Sequence, residues 1–170
     1  SCAGHDEAFT AAFEQGGDGP PPPERHRQEY ELFGFFVTGL ASLESFCYAV
    51  YAMAVMSRSP RLVFPNPRDI KVSSTANMMA QQFPGIPLTR ALTALCTEAA
   101  YAEWKEVRNI LAHRITPGRQ FYLSTGPDQR PAEWLGIGLT DRFTRARRAW
   151  LAERLELLVA AAAELAETEF

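Results

Sequence analysis

Three cysteines and three histidines are all that this 170-residue chain holds of those types. Neither type is grouped. Cys2, Cys47 and Cys96 are far apart, show no CxxC spacing and have no matching histidines, which argues against a zinc site and against a disulfide framework. Cys47 and Cys96 lie in apolar helical contexts and read as small core residues. No GxxxxGK(S/T) phosphate loop exists, and Gly136-Ile137-Gly138 alone is too little for a dinucleotide turn. No internal repeat is visible. The first residues are acidic and polar and lack the basic and apolar regions of a signal peptide. These absences lead to the expectation of a cytoplasmic protein in a reducing compartment, with no metal and no cofactor.

What is present is an ordinary globular composition, 46% hydrophobic and 22% charged, in a chain of one domain's length. The net charge of −3 argues against wholesale coating of nucleic acid. Its distribution is uneven. Between Lys105 and Arg148 nine basic residues face four acidic ones, so this segment is near +5 and the remainder near −8.

Residues 1–23 read as an N-terminal arm. Asp6 to Gln15 can form a short helix, and the run GGDGPPPP then interrupts helical continuity, leaving the arm to pack on the body, swap to a partner or stay mobile. Residues 24–170 read as one helical domain. Glu24 to Ser57 forms its first long helix, almost wholly apolar from Leu32 to Met56. That stretch is long enough to span a bilayer, but Glu44 at its middle and several Ser, Thr and Gly positions favour a central buried helix, and no membrane is expected. A proline-punctuated loop follows to Val72, then a helix from Ser74 to Gln82. A second long helix starts at Pro87 and continues to about Arg114, with Leu88, Leu92, Leu95, Ala99 and Ala102 on its early apolar face. Arg119 to Thr140 is a long connection, too apolar and aromatic for a simple linker, that fits a short hairpin or a packed loop. Thr140 is suited to cap the last helix, which runs to about Glu167 with Leu151, Leu155, Leu158, Ala162 and Leu165 on one side. The expected fold is all-α, an up-and-down four-helix bundle.

The candidate chemistry sits in Arg108-Asn109-Ile110-Leu111-Ala112-His113. At about 100° per residue, Arg108, Asn109 and His113 share one arc, while Trp104, Val107, Ile110 and Leu111 fall roughly between 200° and 320° on the opposite side. The apolar stripe faces the core, and the polar arc is left for solvent, ligand or a second subunit. Consecutive antiparallel helices joined at one end bring that end's residues together, so Arg114, Arg119, Arg142, Arg145 and Arg148 are expected around His113 as phosphate contacts. Arginine offers a fixed fork of donors to phosphate oxygens. Histidine both accepts and returns a proton near neutral pH. Together they could cleave RNA: His113 moves a proton at the ribose 2′-hydroxyl or the leaving 5′-oxygen, Arg108 stabilises charge on the phosphorus oxygens, and Asn109 orients the phosphate or His113. One histidine makes one proton transfer at a time, so a second His113 from a two-fold partner would complete the pair, and a homodimer is expected.

Arg-Asn, three residues and His at the end of a long helix resembles the signature of the HEPN (higher eukaryotes and prokaryotes nucleotide-binding) domains. Arg108 matches the arginine, Asn109 its polar follower and His113 the histidine; the likeness spans Glu24 to Glu169, with six residues as its specific part. It implies a HEPN-type four-helix bundle, a dimer whose motifs face each other across a cleft, and metal-independent endoribonuclease activity in toxin–antitoxin or defence systems, although many members are inactive or only bind nucleotides. Glu44 looks like the acidic helix residue that assists such a motif from a neighbouring helix, or else is a salt-bridge partner of Arg90 or Arg108. The alternative function is a non-catalytic helical module whose arginines dock an acidic partner or antitoxin.

Overall fold

The computed structural model describes residues 1–58, 62–113, 118–122 and 131–169, with the side chains of 112 and 113 outside that description. The fold is all-α with a small sheet. Its helices are α1 (Cys2–Gly16), α2 (Pro22–Arg58), α3 (Val72–Gln82), α4 (Pro87–Thr97), α5 (Ala99–His113) and α6 (Phe143–Glu169). Strands β1 (Arg119–Gln120), β2 (Glu133–Trp134) and β3 (Ile137–Gly138) form an antiparallel sheet in that order. The chain divides into two compact units, Ser1–Gly39 with Trp104–Trp150, and Leu40–Glu103 with Leu151–Phe170.

The first unit is built on aromatic rings. Phe36 of α2 packs on Trp104 of α5 at 4.9 Å between centroids, on Trp134 of β2 at 6.0 Å and on Phe143 of α6 at 6.2 Å. Of the arrangements open to the arm, the structure has the packed one. Phe9 of α1 is fully buried and meets Phe143 at 6.1 Å. Ser1 caps α1 by accepting from the Gly4 N–H, and Gly17, at φ 66°, ends it in the left-handed region that glycine adopts without strain. Gln28 is wholly buried and donates to the carbonyls of Ala12 (3.0 Å) and Gly17 (3.1 Å), fastening the end of α1 to α2.

The expected hairpin in the long connection takes the form of the three strands. β2 and β3 are joined by Leu135-Gly136, both at positive φ (55° and 74°), the two-residue turn whose twist matches paired strands. Residues 123–130 of the long connection lie outside the described residues.

The second unit has an aliphatic core. Leu40, Leu43, Cys47, Val50 and Ala54 form a buried stripe along α2, recurring at three- and four-residue steps. Leu88, Leu92 and Leu95 of α4 and Leu151, Leu158, Ala162 and Leu165 of α6 are buried too. α2 is long and apolar enough to cross a membrane by length and composition; in this fold 39% of its most apolar window is buried within the protein itself.

One expectation is overturned. The second long helix is two helices, because Glu98 breaks it with an extended backbone (φ −72°, ψ 133°). Thr89, Thr93 and Thr97, four residues apart, each turn the hydroxyl to a nearby backbone carbonyl, a bond that competes with regular helix, and Glu98 lies 3.2 Å from Arg154. The break resets the helical phase. Ala99 and Ala102 are therefore exposed rather than part of the Leu88–Leu95 face, and α5 buries Tyr101, Trp104, Val107 and Leu111 instead.

Candidate functional site

The last turns of α5 carry the motif. Trp104, Val107 and Leu111 are buried on one side, Ile110 is half-buried, and Asn109 is exposed on the other. Arg108 is half-buried and donates from Nη1 to Asn109 Oδ1 at 3.3 Å, so the amide steadies the guanidinium beside it. His113 is the final residue of α5, and its side chain lies outside the described residues, as does all of Arg114.

Aromatic neighbours of two basic stretches pack on one ring. Trp104, a turn before Arg108, and Phe143, next to Arg142, both pack on Phe36, and Trp104 also stacks against Trp150 of α6 at 6.5 Å. The arginines expected as phosphate contacts divide into two kinds. Arg142 and Arg145 are exposed and form no ion pair with a described residue. Arg148 and Arg119 are engaged inside the protein.

Arg148 Nη1 lies 3.0 Å from Asp6 Oδ2 and 3.5 Å from Glu7 Oε1, so α1 brings two carboxylates to the start of α6. That placement offsets part of the unfavourable encounter between arginines and the positive end of a helix. Arg147 lies over the Phe143 ring at 4.1 Å and donates to the Phe143 carbonyl. Arg119 is more deeply committed, with its side chain 0% exposed. It donates to the Asp18 carbonyl at 2.9 Å and lies 3.7 Å from Glu29, while its Nε and Nη2 are buried without hydrogen-bond partners. Burial pulls its pKa down and the Glu29 carboxylate opposes that shift. Asp18 in turn accepts from the Ala132 N–H at 3.0 Å, tying the chain between α1 and α2 to the segment that leads into β2.

Glu44 lies on α2 in the second unit and is half-buried, whereas Arg108 and His113 belong to the first. It lies near Cys47, whose thiol is pushed up to about 12, by burial first, with Thr75 opposing and Cys96 and Glu44 adding. Arg90, one salt-bridge partner considered for Glu44, donates to the Gly85 carbonyl instead.

Sequence reasoning missed the role of Asp6, Asp18 and Gln28 in fastening α1 and the loop after it. The signal was the charge imbalance itself, since an acidic arm and a basic segment in one chain are natural partners. Among the described residues no three His, Cys, Asp or Glu side chains are grouped to hold a metal ion. Comparison with protein-family models, with curated proteins and with solved structures finds no match to this chain.

Proposed function

We propose that this protein is a HEPN-like, metal-independent endoribonuclease that acts as a cytoplasmic homodimer. The observation that supports the reading is the division of α5: a polar pair, Arg108 and Asn109, opposite the buried Trp104, Val107 and Leu111, in the unit that also presents exposed Arg142 and Arg145. An amphipathic core helix requires its apolar side but not an arginine steadied by its neighbouring amide.

In the proposed reaction one His113 takes the proton from the ribose 2′-hydroxyl as that oxygen attacks phosphorus. A second His113, from the two-fold partner, gives a proton to the departing 5′-oxygen. The products are a 2′,3′-cyclic phosphate and a 5′-hydroxyl. Arg108 stabilises the charge on the non-bridging oxygens, Asn109 holds the guanidinium in place, and Arg142 and Arg145 attract the flanking backbone. Glu44 has no part in this proton balance.

Incubating RNA with the protein in EDTA and weighing the fragment ends by mass spectrometry tests the proposal. Cyclic phosphate and 5′-hydroxyl ends support it. Intact RNA would instead favour the interaction module, a reading with its own supporting observation: the Arg148 guanidinium already pairs with the carboxylates of a helix, as its exposed neighbours Arg142 and Arg145 would with those of an acidic partner or antitoxin.

A further inference from the structure

A cavity of about 310 Å³ opens in the second unit between α4 and α6. Its floor is apolar, formed by Ala91, Ala94, Leu95 and Leu158, with Leu157 at its side. Two features of this lining are not explained by the unit's own core. Leu157 falls off the buried stripe of α6 and is 50% exposed. Ala91 and Ala94 place the smallest side chains where a larger residue would close the space, while Leu88, Leu92 and Leu95 fill the core side of the same helix.

The charges at the two ends differ. At one end the Arg154 Nε is 3.2 Å from Glu98 Oε2, and Arg154 also lies 3.4 Å from Glu153, so that cation is compensated. At the other end Arg90 is exposed and donates one N–H to the Gly85 carbonyl. That bond fixes the guanidinium without neutralising it, and Arg90 forms no ion pair with a described residue. Arg90 and Glu98 are separated by about 12 Å at the helical rise of 1.5 Å per residue.

From this arrangement we infer a binding site for a medium-chain aliphatic carboxylate. The carboxylate pairs with Arg90, and the chain lies along Ala91, Ala94 and Leu157 toward the closed Glu98–Arg154 end. A cavity near the lower end of small-molecule sites, with one directional polar group and an otherwise apolar wall, suits a ligand with one charge and a tail. The site lies wholly in the second unit and does not depend on the RNA reading.

Octanoate is the probe, titrated into the whole chain by calorimetry and by amide chemical shifts. Saturable binding is expected, with shifts centred on Ala91, Ala94 and Leu157. Octan-1-ol, which lacks the charge, and acetate, which lacks the tail, should each bind about tenfold more weakly or worse. Arg90→Gln should weaken octanoate by about tenfold or more, because a charge-assisted hydrogen bond is lost at an exposed position. Ala94→Trp, which fills the groove while keeping Arg90, should abolish binding. Absence of saturable octanoate binding, equal binding by octan-1-ol, or an unchanged affinity in either variant would overturn the assignment.

Discussion

The two units of this chain hide their polar groups differently. In the second unit the buried hydroxyls of Thr75 and Thr89 both donate to backbone carbonyls, at 2.8 and 2.7 Å. In the first unit Asp6, Thr10, Gln28, Arg119, Thr144 and the indoles of Trp104 and Trp134 each keep at least one buried nitrogen or oxygen without a hydrogen bond. Among the described residues all but one of such atoms belong to the first unit, the exception being Arg154 Nε, which is within ion-pair distance of Glu98. Buried polar atoms left unpaired cost stability, because each has given up its bonds to water without gaining a partner. The unit that bears this cost also carries Arg108, Asn109 and the exposed Arg142 and Arg145.

Mutations can sharpen or break that contrast. The largest effect is expected from Trp104→Ala, which removes a ring packed on Phe35, Phe36 and Trp150 and should cost about 3–5 kcal/mol in urea unfolding. A cost below about 1 kcal/mol would mean that the aromatic cluster does not hold the first unit together. Asp6→Ala should cost about 1–2 kcal/mol, less than a fully buried pair because Arg148 is partly exposed.

Paired hydroxyl deletions test the contrast itself. Thr89→Val should lose about 1–2 kcal/mol, since its hydroxyl bonds the Phe83 carbonyl, whereas Thr144→Val should be neutral or slightly stabilising. Equal losses at the two positions would mean that the two units do not differ in how they satisfy buried hydroxyls.

The smallest effect is a pH dependence. Cys47 is held near 12 in the folded chain against 9.0 for an ordinary thiol, so the folded state keeps a proton that the unfolded state releases. Its stabilising contribution is complete below about pH 9 and is lost between about 9 and 12. From pH 8 to pH 9 the expected loss is a few tenths of a kcal/mol, and it should be missing from Cys47→Ala.

Much of the helical plan was legible in the residues. Apolar periodicity, Pro87 at a helix start and Pro84-Gly85 as a breaker locate α2, α3, α4 and α6 to within a few residues, because each signal is local. Glu98 was not legible: nothing in Thr97-Glu98-Ala99 forbids helix, and the break there accompanies a threonine ladder and a partner 56 positions away, Arg154. The same limit applies to the candidate site. The opposition of Arg108 and Asn109 to the Trp104 face follows from helical spacing alone. That Arg119 and Arg148 are occupied by Glu29, Asp18, Asp6 and Glu7 depends on how α1 and the loop after it pack, which helical spacing does not specify.

In the proposed reaction Arg108 and His113 act together on phosphate. The most direct measurement is the rate of RNA cleavage in EDTA by the wild-type chain, Arg108→Ala and His113→Ala, with helical content checked by circular dichroism. Each variant should lose about a hundredfold or more in rate, as expected when a charge-stabilising donor or a proton-transfer group is removed, while remaining folded. Cleavage by both variants at the wild-type rate would contradict that joint action.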